Sequence, residues 1–479
     1  GGGAEGGGGG GAGGLGEAAR EVRGARLMGS NFGGWCHLED WFFSGSEGRF
    51  VSTTKAQGQG TCLPPQVTST AEKWSAEGIL VHRLNASIGP DATVQAFEAH
   101  RRSYISTEDM AQAASLGLRM MRLPLTWAAF ADALAPIDPS VYGSFNPRNE
   151  SVIVPDPYHH SKVGLVTIPR DWLETMLLNG KSHGLQFLLD LHCMPGGSAN
   201  GTYNGIWPLD PVFWKANAKL GSGSMPLTEA GLLISNALIH WVENMSPEAR
   251  SAVGGITLMN EPAHMSGITG PFAEDNQILE WLGQSADLFR RSSLPSQGVR
   301  LYVNVIETSF KGKYDVIVPE WWLSNFSQEE RSSWAIIDRH WYAAWSAGLC
   351  DGKVVKGAAF YCDGSMDSMR EVWRSDKCIH QWAKDFKALF PDSLRSCTEF
   401  SATTFYDQFV ACDRLDVSLA YIEEQASAMN DAGIEPFFWT WKMPDGPIFQ
   451  SAWSLKFIAG FEEENIRHPC SRPAALVTV

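Results

Sequence analysis

Eight short apolar runs, separated by stretches with helical periodicity, leave this chain few ways to fold. The runs fall at about residues 26–35, 118–124, 184–192, 254–261, 301–305, 335–340, 396–399 and 436–441. Helices are expected near 91–101, from Thr107 as a cap to about 116, and near 169–182, 228–245, 273–291, 367–389 and 414–432. Several of them stop at a glycine just before the next run, as at Gly117, Gly184 and Gly433. A strand that is apolar on both faces must be covered on both, which parallel strands joined by helices achieve. Eight strands of this kind predict an α/β fold, a closed (β/α)8 barrel.

The 479 residues exceed the barrel's needs, and the surplus falls in long loops at about 44–100 and 131–168. Residues 1–20, opening GGGAEGGGGGGAGG, read as a flexible tail, and residues 21–479 as a single catalytic barrel domain. A formal net charge of −15 argues against nucleic acid or an anionic membrane as partner and suits a neutral substrate. No apolar run approaches the roughly 20 residues of a membrane span. The nine cysteines include no C-x-x-C pair, so a structural zinc site is not expected, and their odd number leaves at least one free thiol if the others pair. Sequons at Asn85, Asn149, Asn200, Asn244 and Asn325 point to a secreted, extracellular or cell-wall protein, although no leader pattern is visible. A monomer is expected.

Polar residues gather at one end of the runs. Arg122 closes the second, His192 the third and Asn260-Glu261 the fourth. His340 and Tyr342 follow the sixth, Glu399 ends the seventh, and Trp439 stands at the end of the eighth. A buried strand has no packing use for such side chains, and in a barrel these ends meet in one mouth. Singly each has a plain alternative: Arg122 a structural ion pair, His192 a satisfied core histidine, Trp439 a core ring. As a set they read as a site. Two glutamates from different strands suit glycoside hydrolysis, which uses one carboxyl as acid and the other as nucleophile or base. Asn260 is placed to bind the hydroxyl beside the anomeric carbon, Tyr342 to hydrogen-bond the nucleophile, and Arg122 to hold that carboxylate charged. Trp439 would support the sugar ring, while His192 and His340 would orient neighbours or bind hydroxyls. Glu39, between rings after the first strand, reads equally as a solvated loop carboxylate or as a sugar-hydroxyl acceptor. No metal and no cofactor is expected. Gly196-Gly197-Ser198 is not a nucleophile elbow.

The stretches GSNFGGWCHLEDW, HRRSYISTEDMAQAASLGLRMMRLPLTWAAF, DLHCMPGGSANG, LMNEPAH, IDRHWYAAW, CTEFS and FWTWK occur in this order over about residues 26–445. On them the chain resembles glycoside hydrolase family 5, and within it the fungal exo-β-1,3-glucanases. The resemblance implies a retaining hydrolase of β-glucan chain ends, with Glu261 as acid/base and Glu399 as nucleophile. It places Arg122, His192, Asn260, His340, Tyr342 and Trp439 on the family's other active-site positions. It also implies a terminal-sugar role for Glu39, an aromatic at the cleft entrance in Trp345, and a Cys350–Cys470 disulfide. Cys193-Met194 and Trp341 depart from the pattern, as do the segments 44–100 and 131–168, so mechanism carries over better than linkage specificity. The alternatives are an endo-β-glucanase, a glycolipid glycosidase, or a non-catalytic carbohydrate-binding barrel. A binding barrel has no need of both Glu261 and Glu399.

Overall fold

Each apolar run forms a strand of one closed, wholly parallel barrel in the computed structural model: β1 (Gly29–Asn31), β2 (Met120–Thr126), β3 (Gln186–Cys193), β4 (Val253–Thr257), β5 (Arg300–Ile306), β6 (Ala335–Arg339), β7 (Leu394–Phe400) and β8 (Ile434–Phe438). The structure describes residues 16–43, 74–219, 225–262, 275–306, 314–343, 350, 364–376, 378–403, 414–443 and 452–462. Neighbours in the barrel follow chain order, and β1 closes it by pairing with both β2 (Gly29 to Met120) and β8 (Gly29 to Phe437).

Towards the N-terminal strand ends, Met120, Leu188, Tyr302, Ile336 and Phe437 fill the interior. Side chains of this size contribute about 1.5–3 kcal/mol each when buried, so this end is a plug and leaves no space for chemistry. The outer face of the strands joins the main core under a ring of helices that includes Thr107–Ser115, Arg170–Ser182, Leu227–Glu243, Asp275–Arg291 and Leu415–Asp431. Gly117, Gly184 and Gly433 follow three of these helices with φ of +82°, +85° and +69°, a left-handed turn that favours glycine and reverses the chain into the next strand.

Several expectations change. In the segment 44–100 the helix expected near 91–101 is present as Pro90–Tyr104, but a second, Glu77–Ile88, precedes it, and both pack in a second core with Leu38, Phe42, Phe43 and Trp74 at the barrel mouth. The segment's part 44–73 lies outside the described residues. Ser106, not Thr107, caps the next helix, in a capping box with Asp109. The helix expected over 367–389 is two, Met366–Trp373 and Ile379–Leu389. Cys378 caps the second and bonds Cys350, so Cys350 does not pair with Cys470, which lies outside the described residues. Helix Glu17–Gly24 overlaps the end of the tail expected over 1–20 and buries Ala19 and Val22, while residues 1–15 lie outside the described residues. A helix between β5 and β6, Tyr314–Asn325, was not expected, and Pro319 sits inside it.

Candidate active site

The chain beyond β4 turns sharply before it delivers its carboxylate. Glu261 has φ +36°, a left-handed value that is strained for any side chain bearing a Cβ. The turn is held from the side: Glu261 N–H donates to Asn304 Oδ1 at 2.8 Å, and Asn304 Nδ2 donates to Asp338 Oδ2 at 2.8 Å. Asp338 on β6 also accepts from Ser396 Oγ (2.8 Å), Thr398 N (2.9 Å) and Thr398 Oγ1 (2.6 Å) on β7. It therefore ties β5, β6 and β7 around one buried charge and, through Asn304, the turn after β4. Burial works against that charge, but His340 and the Thr398 hydroxyl bring the Asp338 pKa down to about 2.

His340 lies between the two glutamates. Its Nδ1 is 2.6 Å from Glu261 Oε1 and 3.4 Å from Glu399 Oε2, and its Nε2 donates to Thr398 Oγ1 at 3.0 Å. Burial opposes a charge on the ring, yet Glu399, Asp338 and Glu261 outweigh it and push its pKa up to about 10. An oxygen of Glu261, a ring nitrogen of His340 and an oxygen of Glu399 lie within 4.8 Å of one another. These donor types could suit a metal, but a His340 ring donating through both nitrogens has no lone pair to give one.

Glu399 is held at both oxygens. Arg122 Nη1 donates to Oε1 at 2.5 Å and Tyr342 Oη to Oε2 at 2.8 Å. The same guanidinium donates to Asn31 Oδ1 (3.1 Å) and Asn260 Oδ1 (2.6 Å) and pairs with Asp190 Oδ2 at 3.0 Å. Arg122 lies in the middle of β2, four residues before its end, and reaches the mouth by its length. Burial weakens its hold on its proton, but Asp190, Glu399 and Asp338 more than restore it, so Arg122 stays charged.

Glu39, His192 and Trp439 form the opposite wall. His192 Nδ1 bonds Asp190 Oδ2 at 2.6 Å, and its Nε2 is 3.9 Å from Glu39 Oε1. Its ring stacks on Trp439, with centroids 5.7 Å apart and planes at 10°. Burial, then Arg122 and His37, push the His192 pKa well below its ordinary value, leaving a neutral ring. Nine of the ten residues read from the sequence therefore share one mouth. Trp345 lies outside the described residues. The sequence reading missed Asp190, Asn304, Asp338 and Thr398. Two of them carried a signal: Asp190 and Asp338 each precede a site histidine by two positions, which in a strand is the same face.

No family model matches the chain. A curated glucan 1,3-beta-glucosidase of Schwanniomyces occidentalis is 21% identical over 88% of this chain and 84% of its own length. Another, of Blumeria graminis, is 24% identical over 52% of this chain, and the match spans only 43% of that enzyme. Among solved structures, a rutinosidase from Aspergillus niger superposes with a TM-score of 0.56 at 16% identity, over 91% of this chain and 98% of that one. The structure of AoRut does so with a TM-score of 0.55 at 14% identity, over 90% and 95%. The likeness to the two solved structures is one of fold, the (β/α)8 barrel.

Proposed function

We propose that this chain is a retaining glycoside hydrolase of β-glucosidic bonds, with Glu261 as general acid/base and Glu399 as nucleophile. The observation that carries the reading is the closeness of the two carboxyl groups, which bring oxygens within 4.8 Å. Double displacement uses carboxyl groups about 5–5.5 Å apart, whereas inversion needs about 6.5–9.5 Å to admit a water. Glu399, bonded at both oxygens by Arg122 and Tyr342, is oriented for attack. Among the described residues Glu261 has one side-chain donor, His340, and is the carboxyl suited to exchange a proton with the mouth. In the first step Glu399 bonds the anomeric carbon while Glu261 protonates the departing oxygen. In the second, Glu261 takes a proton from water, which displaces Glu399. Asn260 gives its oxygen to Arg122 and keeps its amide N–H groups for the neighbouring sugar hydroxyl.

The substrate we assign is β-1,3-glucan, cut from a chain end, and the names of the two curated relatives support this choice. Glu39, His192 and Trp439 would receive the terminal sugar, and Trp345 would flank the cleft entrance. The enzyme would act as a monomer outside the cell or in its wall, a placement supported by the Cys350–Cys378 disulfide. Among the described residues no helix is long and apolar enough to cross a membrane. A 2-deoxy-2-fluoro-β-glucoside should trap a covalent adduct on the peptide containing Glu399, and laminarin should release glucose alone. Oligomers as first products would favour an endo-enzyme, and release of the inverted anomer would overturn the mechanism.

A further inference from the structure

Behind Glu39 lies a buried pair that the reaction itself does not use. His37 and Glu77 are both inaccessible, and His37 Nδ1 lies 3.4 Å from Glu77 Oε2. The other ring nitrogen, Nε2, is 2.8 Å from the Tyr203 carbonyl oxygen. A carbonyl can only accept, so Nε2 carries a proton. A bare Nδ1 would then aim its lone pair at an acceptor oxygen, whereas an Nδ1–H pairs with it. Burial disfavours charge on this ring, but Glu77, Glu39 and the Tyr203 carbonyl raise its pKa above the ordinary value. His37 is thus a cation hydrogen-bonded at Nε2 and ion-paired with Glu77 at Nδ1, where among the described residues no hydrogen bond forms.

The same carboxyl grips the residue beside Glu39, because Glu77 Oε2 accepts from Leu38 N–H at 2.6 Å. Around this pair three segments are locked together: the loop after β1, the loop after β3, and the start of helix Glu77–Ile88. Gly78 N–H donates to the Gly205 carbonyl at 2.9 Å, and Ser75 Oγ to the Trp207 carbonyl at 2.6 Å. The approach is close enough that a Cβ at Gly78 would come within 2.5 Å of the Gly205 oxygen. The His37 ring lies 5.3 Å from that of His192, and its charge is among the causes that keep His192 neutral. With its Nδ1–H turned to Asp190, a neutral His192 faces Glu39 with a bare Nε2. The wall then offers acceptors at both Glu39 and His192, to which only free hydroxyls can donate.

We propose that His37 and Glu77 are positioning residues that fix Glu39 and His192 as paired acceptors for the unsubstituted hydroxyls of a terminal sugar. This rests on reading the mouth as a sugar pocket. The role concerns binding in ground and transition states alike, so it sets KM more than kcat. With an aryl β-glucoside, His37→Gln should raise KM and the inhibition constant of free glucose together by roughly tenfold, the size of one lost charged hydrogen bond. The kcat should stay within about threefold. In a Glu39→Gln background the same change should add less than about twofold, because residues acting through one another are not additive. If His37→Gln does not fold, Glu77→Gln makes the same demand, since its amide oxygen still accepts from Leu38. A merely structural pair would lower the melting temperature and the active fraction with KM unchanged. That result, or effects that multiply in the double variant, overturns the inference. A wild type inactive on every β-glucoside removes the sugar-pocket reading and the inference with it. An active wild type with unmoved variants removes the inference alone.

Discussion

The β7 side of the mouth and the β4 side present the same functional group in opposite settings. Glu399 lies inside its strand, where the register against β8 shifts by one residue, and is bonded at both oxygens by groups from β2 and from the segment after β6. Glu261 lies beyond the end of its strand, on a left-handed turn, and has His340 as its side-chain donor. Orientation is built into the first by hydrogen bonds and into the second by backbone. The contrast bears on roles: a nucleophile must hold one line of attack, while an acid/base must meet two partners in succession. Chemistry that ignored this asymmetry would break the comparison most directly.

The largest effect expected is that of Glu399→Gln, which keeps the shape but removes the attacking charge. Turnover should fall by roughly 10⁴-fold or more with every leaving group. Burst and steady-state rates on aryl glucosides measure this, and near-normal turnover would sink the assignment of β7 as the nucleophile side. Glu261→Gln should cost less, roughly 10²–10⁴-fold. Its cost should shrink when the leaving group is an acidic phenol that needs no proton. Equal losses across leaving groups would erase the difference between the two sides.

Arg122 tests how the β7 side is held. Arg122→Met leaves Asp190 and Glu399 buried without their cation, a change worth about 3–5 kcal/mol of stability. Denaturant unfolding should register it as a lower midpoint, and an unchanged midpoint would mean that the guanidinium is dispensable to the fold. Tyr342→Phe is milder, since it removes the hydrogen bond to Glu399, a bond to a charged group worth about 1.5–3 kcal/mol. We expect a tenfold to hundredfold loss of kcat/KM, roughly that energy expressed as rate, with a smaller drop in the unfolding midpoint than Arg122→Met gives.

The two sides also differed in how far they could be read from the sequence. The barrel was legible because strands buried on both faces are apolar throughout, and Glu261 and Glu399 stood out as acids closing such strands. Their supports were less visible. Asp338 joins three strands, yet in the sequence it is one acid inside an apolar run, and only its spacing from His340 marks it. The strain at Glu261 has no sequence signal, since it depends on Asn304, 43 positions away. Cys350 was assigned the wrong partner because the pairing was carried over by resemblance alone, whereas Cys350 bonds Cys378. Helix Glu77–Ile88 opens without a side-chain cap, so nothing announced the element that carries Glu77.

His340 joins both sides, and its proton sharpens the comparison at the smallest scale. Its pKa in the folded protein is about 10, above the ordinary histidine value of about 6.5 in an unfolded chain. A raised folded value means that the folded state binds the extra proton. The stability it contributes is therefore fully present below pH ~6.5 and is lost as pH rises through about 10. Between those limits stability should fall by about 1 kcal/mol per pH unit from this group, or about 2 °C in melting temperature for a chain of this size. His340→Gln should be less stable at neutral pH but show a flatter curve over the same window, because no proton is then lost from between Glu261 and Glu399. A wild-type melting temperature that stays level from pH 7 to 10, with His340→Gln parallel to it, would mean that the ring is neutral and accepts rather than donates. The charge that His340 places between Glu261 and Glu399 would then be missing, and the division of roles between the β4 and β7 sides would need to be drawn again.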